Sequence, residues 1–250
     1  MDLLKDKIKK LFDFQIEDLS YDGDSEKIRR VLLLFNIQSL LSSGKSVQRF
    51  PFELYKENHW DLEHIRSQNP QTLEPRRQGP WLRQMLSYFT GSNADSQDTS
   101  TSTRSYKKKL GGAEKLLVER ILALLQTSEI NQADFASVKD DIFKYFDGLG
   151  NHDDIKDPDN ISNLALLDFA TNRSYQNSPF PVKRKVIMER DGQGVFIPLG
   201  TKNVFLKGYS TKISDLLSWN QCDADDYLQT IKAVLSPFLN NGIRIDEVNK

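Results

Sequence analysis

Apolar residues recur at helical spacing from the start of the chain. Leu3, Leu4, Ile8, Leu11 and Phe12 predict a first amphipathic helix, because positions three and four apart share a helix face. Tyr21-Asp-Gly-Asp-Ser then reads as a turn in which Asp24 or Ser25 can cap a second helix. Ile28, Val31, Leu32, Leu34, Phe35 and Leu41 make that helix apolar on most sides until about Ser43, with Gly44 as its stop, so it is expected at the centre of the core. From Phe52 to Ile65 the pattern changes to short aromatic-rich runs, which predict a strand or extended segment ending near His64.

Residues 66 to 111 break the periodicity. Ser92 to Ser105 is almost entirely Ser, Thr, Asp, Asn and Gln, too polar to offset chain entropy by burial, and a mobile loop is expected there. Gly111-Gly112 opens an amphipathic helix through Leu116, Leu117, Ile121, Leu124 and Leu125, and a second follows around Val138, Ile142, Phe143 and Phe146 until Gly148. Ile161 begins a short apolar strand, after which Asp168 can cap a helix. Pro179 and Pro181 introduce the basic helix Val182-Lys-Arg-Lys-Val-Ile-Met-Glu. Gly192 and Gly194 predict a hairpin into Val195-Phe-Ile-Pro, and a last helix starts near Asp223.

Composition narrows the functional classes. In 250 residues, 34 Lys and Arg face 35 Asp and Glu, so any binding of a polyanion must be local. The charges are segregated. Residues 66 to 109 carry eight basic against three acidic side chains, including Arg104 and Lys107 to Lys109, whereas residues 134 to 160 carry eight Asp against three Lys. The single cysteine, Cys222, precludes an intramolecular disulfide and favours a reducing, cytoplasmic setting. No apolar run is long enough for a bilayer, so no membrane partner is expected.

Among the three histidines, His64 stands in the context that asks for chemistry. An imidazole can take a proton from water near neutral pH, and the adjoining Glu63 is a hard oxygen donor for a divalent cation. On a regular strand neighbours point to opposite faces, so the two serve one site only where the strand ends or bulges. Arg66-Ser-Gln-Asn-Pro70 supplies such an ending. Asp61 is an alternative carboxylate on the same strand face as Glu63. Asp153, Asp154, Asp157 and Asp159 read as a solvated acidic turn, lacking the Gly and distal Glu of a calcium loop.

Ser162-Asn163 and Thr171-Asn172 complete a pattern that resembles the HNH, or ββα-metal, nucleases. More narrowly, Trp60-Asp-Leu-Glu-His-Ile, Ile161-Ser-Asn-Leu-Ala-Leu-Leu, Asn172-Arg-Ser-Tyr and Phe180-Pro-Val-Lys-Arg-Lys are similar to the C-terminal HNH domain of GmrSD-like restriction and phage-defence proteins. The resemblance extends to Ile16-Glu-Asp-Leu-Ser-Tyr, Arg49-Phe-Pro-Phe, Thr201-Lys-Asn-Val-Phe-Leu-Lys and Trp219-Asn-Gln, and so to most of the chain.

That resemblance implies a mainly α-helical α+β protein with an embedded ββα-metal finger. Its expected parts are an N-terminal helical segment (1–50), finger halves (51–66 and 155–205), a basic, polar mobile loop (67–111), a helical insertion (112–150) and a C-terminal helical segment (206–250). It implies a Mg²⁺- or Mn²⁺-dependent DNA endonuclease in restriction or antiviral defence. His64 is then the general base, Asn163 the residue that holds the loop and orients His64, and Glu63, Asn172 and Asp61 the metal ligands. Arg173, Lys183, Arg184 and Lys185 are expected on flanking DNA phosphates. A separate ParB-like nucleotidase subunit is an implied partner. His64 and Asn163 lie 99 positions apart, far more than in compact fingers, which makes the intervening helices an insertion. A catalytically inactive nucleic-acid-binding or scaffold subunit of a defence complex, or an RNA-directed toxin, also accommodates these residues.

Overall fold

The computed structural model describes residues 2–42, 49–57, 60–67, 73–91, 110–149, 154–175, 177–213 and 215–239. They form a mainly helical α+β protein with one small antiparallel sheet. Arg104, Lys107 to Lys109, His59, His152 and the polar run 92–105 lie outside the described residues.

Helix α1 (Asp2–Leu11) follows the predicted spacing. Helix α2 (Tyr21–Ser42) begins earlier than expected and absorbs the anticipated turn as a kink at Asp24, whose backbone is non-helical. Its buried residues Ile28, Val31, Leu32 and Phe35 run through the first core. The extended segment expected from Phe52 divides into helix α3 (Phe52–Glu57) and strand β1 (Trp60–His64). The stretch read as a mobile loop contains helix α4 (Pro75–Thr90), which turns Trp81, Leu82, Met85, Leu86 and Phe89 inward. Helices α5 (Gly112–Leu125) and α6 (Gln132–Leu149) follow. With α4 they build a second apolar cluster in the chain between the two strands.

A 3-10 turn (Ile161–Asn163) enters strand β2 (Leu164–Asp168), which pairs antiparallel with β1 in the register Trp60 to Asp168 and His64 to Leu164. Asp168 caps helix α7 (Phe169–Tyr175): its Oδ1 accepts the Thr171 N–H at 2.9 Å. Helix α8 (Phe180–Gly192) is the predicted basic helix. The hairpin expected after it does not form. Gly194, at φ +84°, makes the turn, but Val195 to Pro198 runs irregularly into helix α9 (Leu199–Phe205). Helix α9 packs tightly on α2, where the Gly200 N–H donates to Asn36 Oδ1 at 2.7 Å and a Cβ at Gly200 would stand 2.7 Å from Phe35. Helix α10 (Gln221–Leu235) opens with a reciprocal Asn220–Asp223 cap and lays Tyr227, Ile231 and Leu235 on the first core.

Candidate functional site at the open end of the sheet

Antiparallel register brings the remote halves of the sequence pattern together. His64 is the last residue of β1 and stands opposite Leu164, so Asn163 lies beside the strand exit; the Ile65 N–H donates to the Asn163 carbonyl at 2.8 Å. The Asn163 side chain is fully buried. Its Oδ1 accepts the Arg66 N–H at 2.9 Å, and its Nδ2 donates to the carbonyls of Arg66 at 3.1 Å and Pro158 at 2.8 Å. One amide thereby ties the chain leaving β1 to the chain approaching β2.

His64 and Glu63 point to opposite faces, as strand alternation requires. His64 is partly exposed; its Nε2 lies 3.1 Å from Asp159 Oδ1, and its ring packs against Tyr21 with centroids 4.9 Å apart. Asp159 adjoins Pro158, so the Asn163 clamp also holds the backbone that carries the carboxylate partner of His64. Asp159 and Tyr21 are additions to the predicted set. Asp159, read from sequence as part of a solvated turn, reaches His64 across 95 positions.

Glu63 turns towards α8 and is buried. Lys183, only 1% exposed, donates its ammonium to Glu63 Oε1 and, at 2.5 Å, to the main-chain carbonyl of His64. Burial pulls the Lys183 pKa below its ordinary value, and the Glu63 carboxylate opposes that shift. The expectation that Lys183 meets DNA phosphates therefore needs correction. An ammonium enclosed between β1, α7 and α8 is withdrawn from the surface, as an amphipathic reading of Lys-Arg-Lys cannot reveal. Arg184 Nε donates to the Phe205 carbonyl at 3.0 Å and Lys185 Nζ to that of Ser87 at 3.2 Å, so both half-buried cations serve the fold. Arg173 is exposed, with its guanidinium 3.6 Å from the centroid of the Phe169 ring.

The donors expected to hold a divalent cation sit on β1 and on α7. Asp61 and Glu63 are alternate residues of one strand face, and half-buried Asn172 rides on α7, which packs against both strands. The Tyr175 hydroxyl is buried without a partner; burial raises its pKa well above the ordinary value, and Glu63 and Asp168 raise it further. Asp168 Oδ2 is likewise buried and unpartnered. Carboxylate and amide oxygens suit hard Mg²⁺ or Mn²⁺. The donor chemistry fits, and the Lys183 ammonium competes for Glu63. Among the described residues no three His, Cys, Asp or Glu side chains form a metal-sized group.

Beyond the strand exit a cleft of about 500 Å³ opens between Arg66, Ser67 and Asn163 on one side, α6 on another, and Pro179 to Pro181 with Leu217 to Trp219 on the third. Among the described residues no helix is long and apolar enough to cross a membrane. No family model matches the chain, and no curated protein or solved structure matches it either.

Proposed function

We propose that this protein is a metal-dependent endonuclease of the HNH type that hydrolyses DNA phosphodiesters, acting in restriction or anti-phage defence. The observation that carries the reading is His64 at the open end of β1, partnered by Asp159 and joined to β2 through the buried Asn163 clamp. The order strand, strand, helix formed by β1, β2 and α7 supports it, although 99 positions separate His64 from Asn163.

In this mechanism Asp159 fixes the ring. A neutral imidazole has one donor and one acceptor nitrogen, and the contact of its Nε2 with Asp159 holds the ring in the orientation from which it takes a proton from the attacking water. Asn163 acts through the backbone of Arg66 and Pro158 and is a positioning residue. Lys183 fixes the carbonyl of His64 from the opposite face. A divalent cation would supply charge neutralisation at the scissile phosphate; Glu63 and Asp61, expected to hold it, lie on the face of β1 opposite His64, so the imidazole and its Asp159 partner carry this reading without them. Arg173 is the member of the predicted basic set best exposed for a flanking phosphate.

A second reading, a catalytically inactive DNA-binding or scaffold subunit, is favoured by one observation: the Lys183 ammonium already neutralises Glu63. Nicking of supercoiled plasmid in Mg²⁺ or Mn²⁺, compared between wild type and His64→Ala, separates the two. Cleavage by wild type that is lost in the variant supports the nuclease. Binding by both proteins with cleavage by neither supports the subunit, and cleavage of RNA alone moves the substrate class.

A further inference from the structure

The N-terminal segment reaches the candidate site through its main chain. Ser20 and Asn160 form an isolated antiparallel bridge, the Tyr21 N–H donates to the Asp159 carbonyl at 2.9 Å, and the Ile161 N–H donates to that of Leu19 at 3.2 Å. Asn160 Nδ2 adds a bond to the Glu17 carbonyl at 2.8 Å. Residues 17 to 21 therefore grip Asp159, Asn160 and Ile161 in succession, the stretch that presents the carboxylate partner of His64. Tyr21 itself opens α2, whose first turn closes on the Ser20 carbonyl through the Asp24 N–H at 2.8 Å.

The Tyr21 ring meets the His64 imidazole at 58°, with centroids 4.9 Å apart, inside the ~4.5–7 Å range of favourable aromatic pairs. That contact supplies what the Asp159 bond lacks. The final torsion of a histidine has a broad, roughly two-fold profile, so a bond at Nε2 fixes one end of the ring and defines its plane weakly. The side chains of His64 and Asp159 are also 21% and 30% exposed, and a pair so open to water contributes little by itself. An aromatic neighbour carried on hydrogen-bonded backbone restricts the remaining freedom.

We infer that Tyr21 is a positioning residue for His64: its ring sets the imidazole plane while its N–H holds the backbone of Asp159, so that the base and its carboxylate partner stay aligned. Its role in hydrolysis rests on His64 acting as the general base. The phenol hydroxyl takes no part, so Tyr21→Phe preserves the arrangement and Tyr21→Ala removes the ring alone, leaving the main-chain bond to Asp159 in place. Tyr21 is 36% exposed, and its truncation spares the core.

Nitrogen-15 NMR of the His64 ring in EDTA, without DNA, tests the inference independently of cleavage, and plasmid nicking in Mg²⁺ on the same proteins tests its consequence. Wild type and Tyr21→Phe are expected to give the ring signals of one held tautomer, and Tyr21→Ala signals moved towards the averaged values of a free imidazole. In the nicking assay Tyr21→Phe is expected to keep the wild-type kcat and Tyr21→Ala to lose about tenfold in kcat with KM unchanged, the mark of a misplaced group. Unchanged ring signals in Tyr21→Ala overturn the inference whatever the cleavage rate does. An equal loss of kcat in Tyr21→Phe overturns it too, and makes the hydroxyl a contact to water or substrate. Ring signals that respond to Tyr21→Ala in a protein that cleaves no plasmid overturn the nuclease reading and keep Tyr21 as the residue that orients His64.

Discussion

The side-chain amide of Asn163 binds the backbone of Arg66 in both directions, accepting its N–H at 2.9 Å and donating to its carbonyl at 3.1 Å. A third bond to Pro158 makes this buried group the junction of the two strand-linking segments. Asn163→Ala leaves buried backbone groups unsatisfied, and each such loss is worth about 1–3 kcal/mol. Calorimetry is expected to show a drop of roughly 3 °C per kcal/mol in a chain of this size. An unchanged melting temperature would remove Asn163 from this role.

Lys183 and Glu63 form a buried pair whose partners depend on each other. Removing one partner typically costs about 3–5 kcal/mol because the other charge is left buried and unpaired. Lys183→Met is therefore expected to be severely destabilised in urea melts, and adding Glu63→Gln to recover a large part of the loss. Additive single effects would show that the two side chains do not act as a pair.

Burial within α6 pushes Lys139 down to about 8 from its ordinary 10.5. Below pH 8 both folded and unfolded chains carry the proton and the fold bears the full desolvation cost. Between 8 and 10.5 the unfolded chain binds more protons, so stability rises with pH. Lys139→Met is expected to melt above wild type at pH 7, with the gap narrowing towards pH 10. A gap independent of pH would contradict the assignment.

Asp159 holds His64 by its ring nitrogen without being a base itself. Asp159→Asn is expected to lower kcat for plasmid cleavage by about tenfold to hundredfold, part of the full general-base effect, with KM little changed. A rise in KM at constant kcat would make Asp159 a binding residue instead.

Much of the helical frame is legible in the sequence because α1, α5, α6 and α10 repeat apolar residues over several turns. Helix α4 escapes notice because Pro75, Gly79 and Pro80 obscure the repeat that starts at Trp81. Helix α3 is only six residues long and none of them is buried, so its Phe52, Leu54 and Tyr55 mimic a strand. The meeting of His64 with Asn163 is readable only through the motif, since local periodicity carries no information across 99 positions. Asp159 and Lys183 sit in acidic and basic runs whose composition signals solvent exposure. One instead meets the histidine at the end of β1, and the other enters the interior because a carboxylate awaits it there.

Chemical rescue tests the central claim, that the imidazole at position 64 takes the proton from water. His64→Ala is expected to lose about 10²- to 10⁴-fold in cleavage rate, and added imidazole to restore part of that rate in proportion to its unprotonated fraction. Cleavage by His64→Ala at the wild-type rate, with no response to imidazole, would contradict the account.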